Sequence, residues 1–312
     1  MALGHDEEIG GWQGAKHIAE FIHQRLGPRC FEFMWDEGLF VIDRIVPGHR
    51  GPVAMICVAE KGSVTLELSV EGTPGHSSAP EFESAVGILA NAVSKLERQP
   101  LPATLDGPAN NMFTALRPGF TFGMKLLVSN LWLFGPLLRR VLAAKHKTST
   151  LVRTTTALTV FQAGSKHNVV PGSAKAIVQH RVHPKDTLDD VQAYDTAVVN
   201  DRRVQVKRVE SVPVSPVSSH THPAFRSLEE VIGLVYPQAA AAPSLFVANS
   251  DSRHYWDLAR QIYRLNPILL DRDETTRFHG IDERISVRNF AQVVLFCRTF
   301  VEVTDTRDAP RN

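Results

Sequence analysis

Ser63-Val64-Thr65-Leu66-Glu67-Leu68-Ser69-Val70-Glu71 alternates apolar and polar residues without a break. Side chains two apart share a face of a strand, so this period predicts a strand burying Val64, Leu66, Leu68 and Val70. A Gly-Thr-Pro-Gly turn follows at Gly72–Gly75. Glu81–Arg98 then predicts a helix, with Val86, Leu89, Ala90, Val93 and Leu96 on one side. Further along, Thr154–Gln162 and Ala174–Val182 predict strands, Thr187–Val199 a helix and Val204–Val212 another strand. Strand, helix, strand, strand, helix, strand is a ferredoxin-like α+β order. It places a domain over residues 61–215, carrying an apolar helical insertion at about 113–146.

Outward from this domain the pattern changes. Residues 1–60 predict a helix at Ala15–Leu26 and short strands at Phe31–Met34, Leu39–Ile45 and Pro52–Ala59. Residues 216–312 predict helix Ala224–Val235, strand Ser244–Val247, helix Tyr255–Ala259, strand Ile262–Leu265 and helix Val287–Glu302. Both flanks are α/β material, so they are read as one α/β domain with the ferredoxin-like domain inserted between its halves.

The totals exclude several function classes. The 312 residues carry a net charge of +1, from 34 basic and 33 acidic side chains. With no basic block, nucleic acid is not an expected partner. Cys30, Cys57 and Cys297 lie too far apart for a zinc knuckle or a disulfide framework. The N-terminus has no basic and apolar leader pattern, and the compartment is left open. The most apolar stretch, Phe120–Ala144, is interrupted by Lys125, Asn130, Pro136, Arg139 and Arg140. It reads as an amphipathic helical pair that packs on the protein or touches lipid or an apolar substrate, rather than as a span.

Chemistry-bearing residues fall in clusters. His5-Asp6-Glu7-Glu8 sets a carboxylate pair beside histidine, a composition suited to metal-assisted hydrolysis. One carboxylate can ligate a metal while its neighbour takes a proton from water. Trp35-Asp36-Glu37-Gly38 ends a strand with an acidic pair. Gly75-His76-Ser77-Ser78 sets a histidine in a small-residue loop, and Phe278-His279-Gly280 places another shortly before a helix. Each alone fits an ordinary turn or a solvated charged run.

In order, these runs together with Asn168–Pro171 (Asn-Val-Val-Pro) and Asp251–His254 (Asp-Ser-Arg-His) resemble one family throughout. It is the di-zinc amidohydrolase family of aminoacylase, carboxypeptidase S and the N-fatty-acyl-amino-acid synthase/hydrolases. The phrases Ala59–Ser63, Ile262–Arg264 and Arg284–Val287 are similar to its carboxypeptidase S and fatty-acyl branch. The resemblance implies a three-layer α/β zinc-peptidase catalytic domain, present in part, with a ferredoxin-like lid and dimerisation domain. It implies zinc, two ions per site, and a small-molecule substrate with an amide beside a free carboxylate, an N-acyl amino acid or a small peptide. It also implies a homodimer formed through the lid. By motif, Glu7 corresponds to the general base, and Glu8, Asp36 and His279 to metal ligands. His76 corresponds to the lid histidine that steadies the oxyanion, and Asn168 and Arg253 to substrate-binding groups. Ser250 stands where the family usually has threonine.

The family also uses a His-x-Asp histidine and a bridging aspartate, both upstream of the His-Asp-Glu-Glu run. Only Met1–Gly4 precede that run here. The expectation is therefore an N-terminally truncated hydrolase, inactive or weak as this chain, with zinc occupancy in doubt. The alternative is a non-catalytic dimerisation module or a gene-model fragment of the enzyme.

Overall fold

The computed structural model describes residues 1–308. In chain order the elements are α1 (Ala15–Leu26), β1 (Met34–Asp43), β2 (Val53–Glu60), β3 (Gly62–Glu71), β4 (Gly75–His76), α2 (Ala85–Arg98) and α3 (Pro108–Leu116). Then come α4 (Phe122–Ser129), α5 (Leu131–Ala143), α6 (His146–Ser149), β5 (Thr155–Ala163), β6 (Val169–Val170), β7 (Ser173–Val182), α7 (Leu188–Val199) and β8 (Val204–Val212). The chain closes with α8 (Pro223–Val235), β9 (Ala240–Phe246), β10 (Ile262–Asp271) and α9 (Val287–Asp308). Short 3-10 turns at Glu7–Ile9 and Asp251–Tyr255 carry site residues. Residues 1–60, 105–137 and 215 onward form one compact unit, and residues 61–104 with 138–214 form a second.

The second unit is a four-stranded antiparallel sheet in the order β5-β7-β3-β8. This is the ferredoxin-like arrangement. The alternation of β3 buries Val64, Leu66, Leu68 and Val70 completely against α2 and α7. Helix starts are fixed by hydroxyls: Ser84 Oγ accepts from the Gly87 N–H, and Thr187 forms a capping box with Asp190. Two basic groups are buried here as well. Lys61 Nζ donates to the Arg153 carbonyl at 2.7 Å, and the Lys185 N–H donates to His183 Nδ1 at 3.2 Å. Burial pushes Lys61 down to about 7; it also pushes His183 down, with help from Lys61, to about 4.

The first unit is a mixed sheet in the order β1-β10-β2-β9. β1 runs parallel to β10 and β2 parallel to β9, while β2 and β10 are antiparallel. One face is covered by α8 and α9. There Phe225, Leu228 and Val231 meet Phe296 and Phe300 over Ile56, Val58 and Tyr263. Trp35 stacks into the same cluster, 5.0 Å from Phe300. Strand alternation sends the next residues to the opposite face, where Asp36 and Cys57 flank Arg264 in register. α1 buries Ala15 and Ala19 against Tyr255 and Leu258.

Four sequence expectations change. The apolar insertion does not belong wholly to the ferredoxin-like unit, because Leu105–Leu137 groups with the α/β unit. α3 buries Met112, Phe113 and Leu116 and lies against β9. The segment after it is tied down by Arg50 N–H to Gly119 O (3.0 Å) and Thr121 N–H to Gly48 O (2.8 Å). β1 is one strand through Gly38, not two. A Cβ at Gly38 would lie 2.5 Å from the Arg264 carbonyl carbon, so glycine lets the two backbones close. Gly38→Ala is expected to cost roughly 2–3 kcal/mol of stability, read from urea unfolding. β9 starts at Ala240, since pairing with β2 outweighs the weak strand preference of its alanines. Finally, the helix expected at Tyr255–Ala259 is replaced by the 3-10 turn Asp251–Tyr255.

Candidate active site

The carboxylates come from two 3-10 turns and strand β1. The first is the 3-10 turn carrying Glu7 and Glu8. Its preceding residue, Asp6, is buried, and Asp6 Oδ2 accepts from the Gln13 N–H at 2.7 Å. That bond holds the Asp6 carboxyl below the usual range and closes the loop on itself. Gly10 and Gly11 turn the chain with φ of +106° and +69°, and a Cβ at Gly11 would collide with Asp251 Oδ1. The second contribution is Asp36 and Glu37 on β1. The third is the turn Asp251–Tyr255, which carries Asp251, Arg253 and His254.

Their electrostatics report the convergence. Burial raises the Glu7 carboxyl, then Glu8 and Asp251 raise it further against the pull of Arg253. Glu37 is pushed up to about 7 by burial, then by Glu7, Asp36, Asp251 and Glu8. Asp251 is raised by burial and Asp36, opposed by His254 and Arg253. Like charges brought this close favour either protonation or a cation. The orphaned atoms agree. Asp6 Oδ1, Asp36 Oδ2 and Asp251 Oδ1 are buried without a hydrogen-bond partner among the described residues. Each is a carboxylate oxygen of the kind a divalent cation takes, but the three are not gathered into one donor set. Among the described residues, no three His, Cys, Asp or Glu side chains group as a complete metal site.

Beneath this cluster lies a buried ion pair. Arg264 Nε stands 3.0 Å from Glu60 Oε1, and both side chains are essentially inaccessible. Arg264 Nε also donates to Ser252 Oγ at 2.9 Å, while Ser250 Oγ donates to Glu60 Oε1 at 2.6 Å. Ser250 and Ser252 bracket Asp251, so the pair grips the turn that holds Asp251 and Arg253. Burial raises the Glu60 carboxyl, and Arg264 and Ser250 pull it back.

The residues singled out from sequence are therefore placed as follows. Glu7, Glu8, Asp36 and Arg253 come together in the α/β unit. His279 sits on an exposed turn with φ of +53°, next to Phe278, which stacks on Phe40 of β1 at 4.6 Å. It does not complete a ligand set with Glu8 and Asp36. His76 and Asn168 meet each other in the second unit. There the Ser77 N–H donates to the Asn168 carbonyl at 3.1 Å, and His76 Nδ1 lies 2.8 Å from Ser78 Oγ. Sequence reasoning missed Glu37 and Asp251 as members of the cluster, and the Glu60–Arg264 pair below it. The signal for Asp251 was present in the Asp-Ser-Arg-His run.

Residues 58–206 match the M20 peptidase dimerisation domain. A probable carboxypeptidase S-like protein of Dictyostelium discoideum is 40% identical over 98% of this chain and 59% of its own length. The chain carries this dimerisation domain of the M20 peptidases. An N-fatty-acyl-amino acid synthase/hydrolase of Xenopus tropicalis, PM20D1, is 41% identical over 99% of this chain and 60% of its own length. The chain thus spans about three fifths of the length of the curated relatives it matches. An M20 family metallo-carboxypeptidase from Sulfolobus solfataricus shares the fold, with a TM-score of 0.58 at 16% identity over 96% of this chain and 68% of that one.

Proposed function

We propose that the protein takes part in metal-dependent hydrolysis of an amide bond beside a free carboxylate, in an N-acyl amino acid or small peptide. The observation that carries this is the carboxylate cluster of Glu7, Glu8, Asp36, Glu37 and Asp251 facing one guanidinium, Arg253. Relatives named as carboxypeptidase S-like and as N-fatty-acyl-amino acid synthase/hydrolase support the substrate class. Glu8 and Asp36 would hold a metal, together with His279 if its turn moves inward. A zinc ion at such a site acidifies water and polarises a carbonyl.

The remaining roles belong to the chain itself. Glu7 is the base that takes the proton of the attacking water and returns it to the leaving nitrogen. Its raised carboxyl moves its proton affinity toward neutrality, which suits that exchange. Arg253 offers a planar fork to the substrate carboxylate. His76 is the lid histidine that reaches a neighbouring subunit's active site and steadies the oxyanion, and Asn168 holds the scissile carbonyl. The lid also forms the homodimer. The test is hydrolysis of an N-acyl amino acid by the purified protein with added zinc. Glu7→Gln is expected to lower kcat by roughly 10²–10⁴ with KM little changed. Turnover that survives Glu7→Gln would remove Glu7 from the chemistry.

A second reading is a dimerisation module without turnover. It is favoured by the self-contained core of the ferredoxin-like unit and by the incomplete donor set among the described residues. Zinc that stays unbound, together with a stable dimer, is its signature.

A further inference from the structure

The hairpin formed by α4 and α5 presents an apolar face that the α/β unit leaves open. Phe122 is 83% exposed, Leu126 52%, Trp132 81%, Leu133 55% and Leu137 58%. The buried Phe120 and Val128 seat the hairpin, and Thr121, just before α4, donates its N–H to the Gly48 carbonyl. Five large apolar side chains left exposed on one short helix pair mark a binding surface rather than scattered surface residues.

The charge around the patch says what covers it. From Gly107 through Lys185 the sequence contains no Asp or Glu, although the whole chain is nearly neutral. Lys125, Arg139 and Arg140 are exposed on the two helices, followed by Lys145 and Lys147. None of these five is in an ion pair among the described residues. Unpaired basic side chains on the same two helices as exposed Trp and Leu complement an anionic surface with an apolar interior. Arg and Lys stems can lie along apolar material while their heads reach phosphate, and tryptophan prefers that boundary.

Geometry fixes the mode. α4 has 8 residues and α5 has 13, and the pair is bent by 110°. Neither approaches the roughly 20 residues needed to cross a bilayer. The hairpin can lie in the interface with Phe122, Trp132 and Leu133 pointing inward. We propose that the α4–α5 hairpin docks the protein on an anionic phospholipid bilayer, in the plane of the headgroups. This stands independently of the proposed hydrolysis.

Flotation of the purified protein with vesicles decides the matter, using phosphatidylcholine alone or mixed with phosphatidylglycerol. Wild type is expected to float with the mixed vesicles and to be released as salt rises. Trp132→Ser/Leu133→Ser/Leu137→Ser is expected to weaken that binding on the order of a hundredfold, with an unchanged melting curve because the three side chains are exposed. Arg139→Gln/Arg140→Gln is expected to weaken it roughly tenfold on the mixed vesicles and leave residual binding to phosphatidylcholine unchanged. The proposal fails if wild type does not float. It fails equally if binding ignores the triple substitution. A wild-type dimer that the triple variant dissociates, without vesicle binding, would give the surface to a second copy instead. Saturable binding of a monomeric N-acyl amino acid, again without vesicle binding, would give it to the substrate.

Discussion

Replacing Arg264 with Met is expected to destabilise the α/β unit by about 3–5 kcal/mol, because it strands the Glu60 carboxylate in a dry interior. Glu60 would retain only the hydroxyl of Ser250, at 2.6 Å, to offset burial that already raises its carboxyl. Glu60→Gln alone is expected to cost nearly as much, since the guanidinium then lacks its counter-ion. The two changes together should be far milder than their sum. Arg264 Nη1 and Nη2 have no partner among the described residues, so the native pair itself carries an uncompensated desolvation cost. Urea unfolding of the four proteins gives the coupling directly. If Arg264→Met proves neutral by itself, the pair does not hold this part of the fold. Because Ser250 and Ser252 depend on the same pair, the single variants should also loosen the turn bearing Asp251 and Arg253. Hydrogen exchange of residues 250–255 reads that effect.

The second large effect is a dependence of stability on pH that comes from Lys61 and His183. Both are bases whose protonation is suppressed in the folded state, Lys61 to about 7 and His183 to about 4. Between about 7 and the ordinary lysine value of 10.5, the unfolded chain holds a proton that folded Lys61 lacks, so stability rises with pH across that window. The same logic makes stability fall as pH drops from 6.5 toward about 4 through His183. At about 1.4 kcal/mol per unit, Lys61 contributes roughly 3–5 kcal/mol and His183 roughly 3 kcal/mol over their windows. Lys61→Met is expected to flatten the alkaline limb and to raise the unfolding free energy at pH 7, despite losing the bond to the Arg153 carbonyl. An unchanged alkaline slope in that variant would refute the assignment.

How much of this was legible in sequence depended on whether the deciding force was local. Strict alternation in β3 and the one-sided apolar spacing of α2 are local signals and carried the ferredoxin-like order, although α2 starts at Ala85, after its Ser84 cap, and not at Glu81. β9 was harder, because Ala240–Pro243 has the composition of a loop and becomes a strand only through its parallel pairing with β2. Arg264 was harder still. Flanked by Tyr263 and Leu265, it reads as one more outward residue of an alternating strand. Only the register with Asp36 and Cys57 places it beneath the carboxylates. The Glu7–Glu8 pair was suggested by residue type, and its grouping with Asp36 was implied by the family resemblance. The membership of Glu37 and Asp251 needed the loop closure at Gly11, which no short-range pattern encodes.

The pairing of β1 with β10 has a kinetic consequence. Trp35 donates its ring N–H to the Leu265 carbonyl at 2.9 Å, across 230 positions of sequence. During synthesis the apolar strands β1 and β2 must therefore wait for nearly the whole chain before their central partner emerges. The ferredoxin-like unit, whose last strand ends at Val212, is complete before β10 emerges at Ile262. Closing so large a loop is entropically slow, and sheets with such high contact order fold late. The chain is thus expected to pass through a species with a formed second unit and an open α/β sheet. It is in that interval that chaperones would find Val53–Glu60 exposed, fully buried though it is at the end.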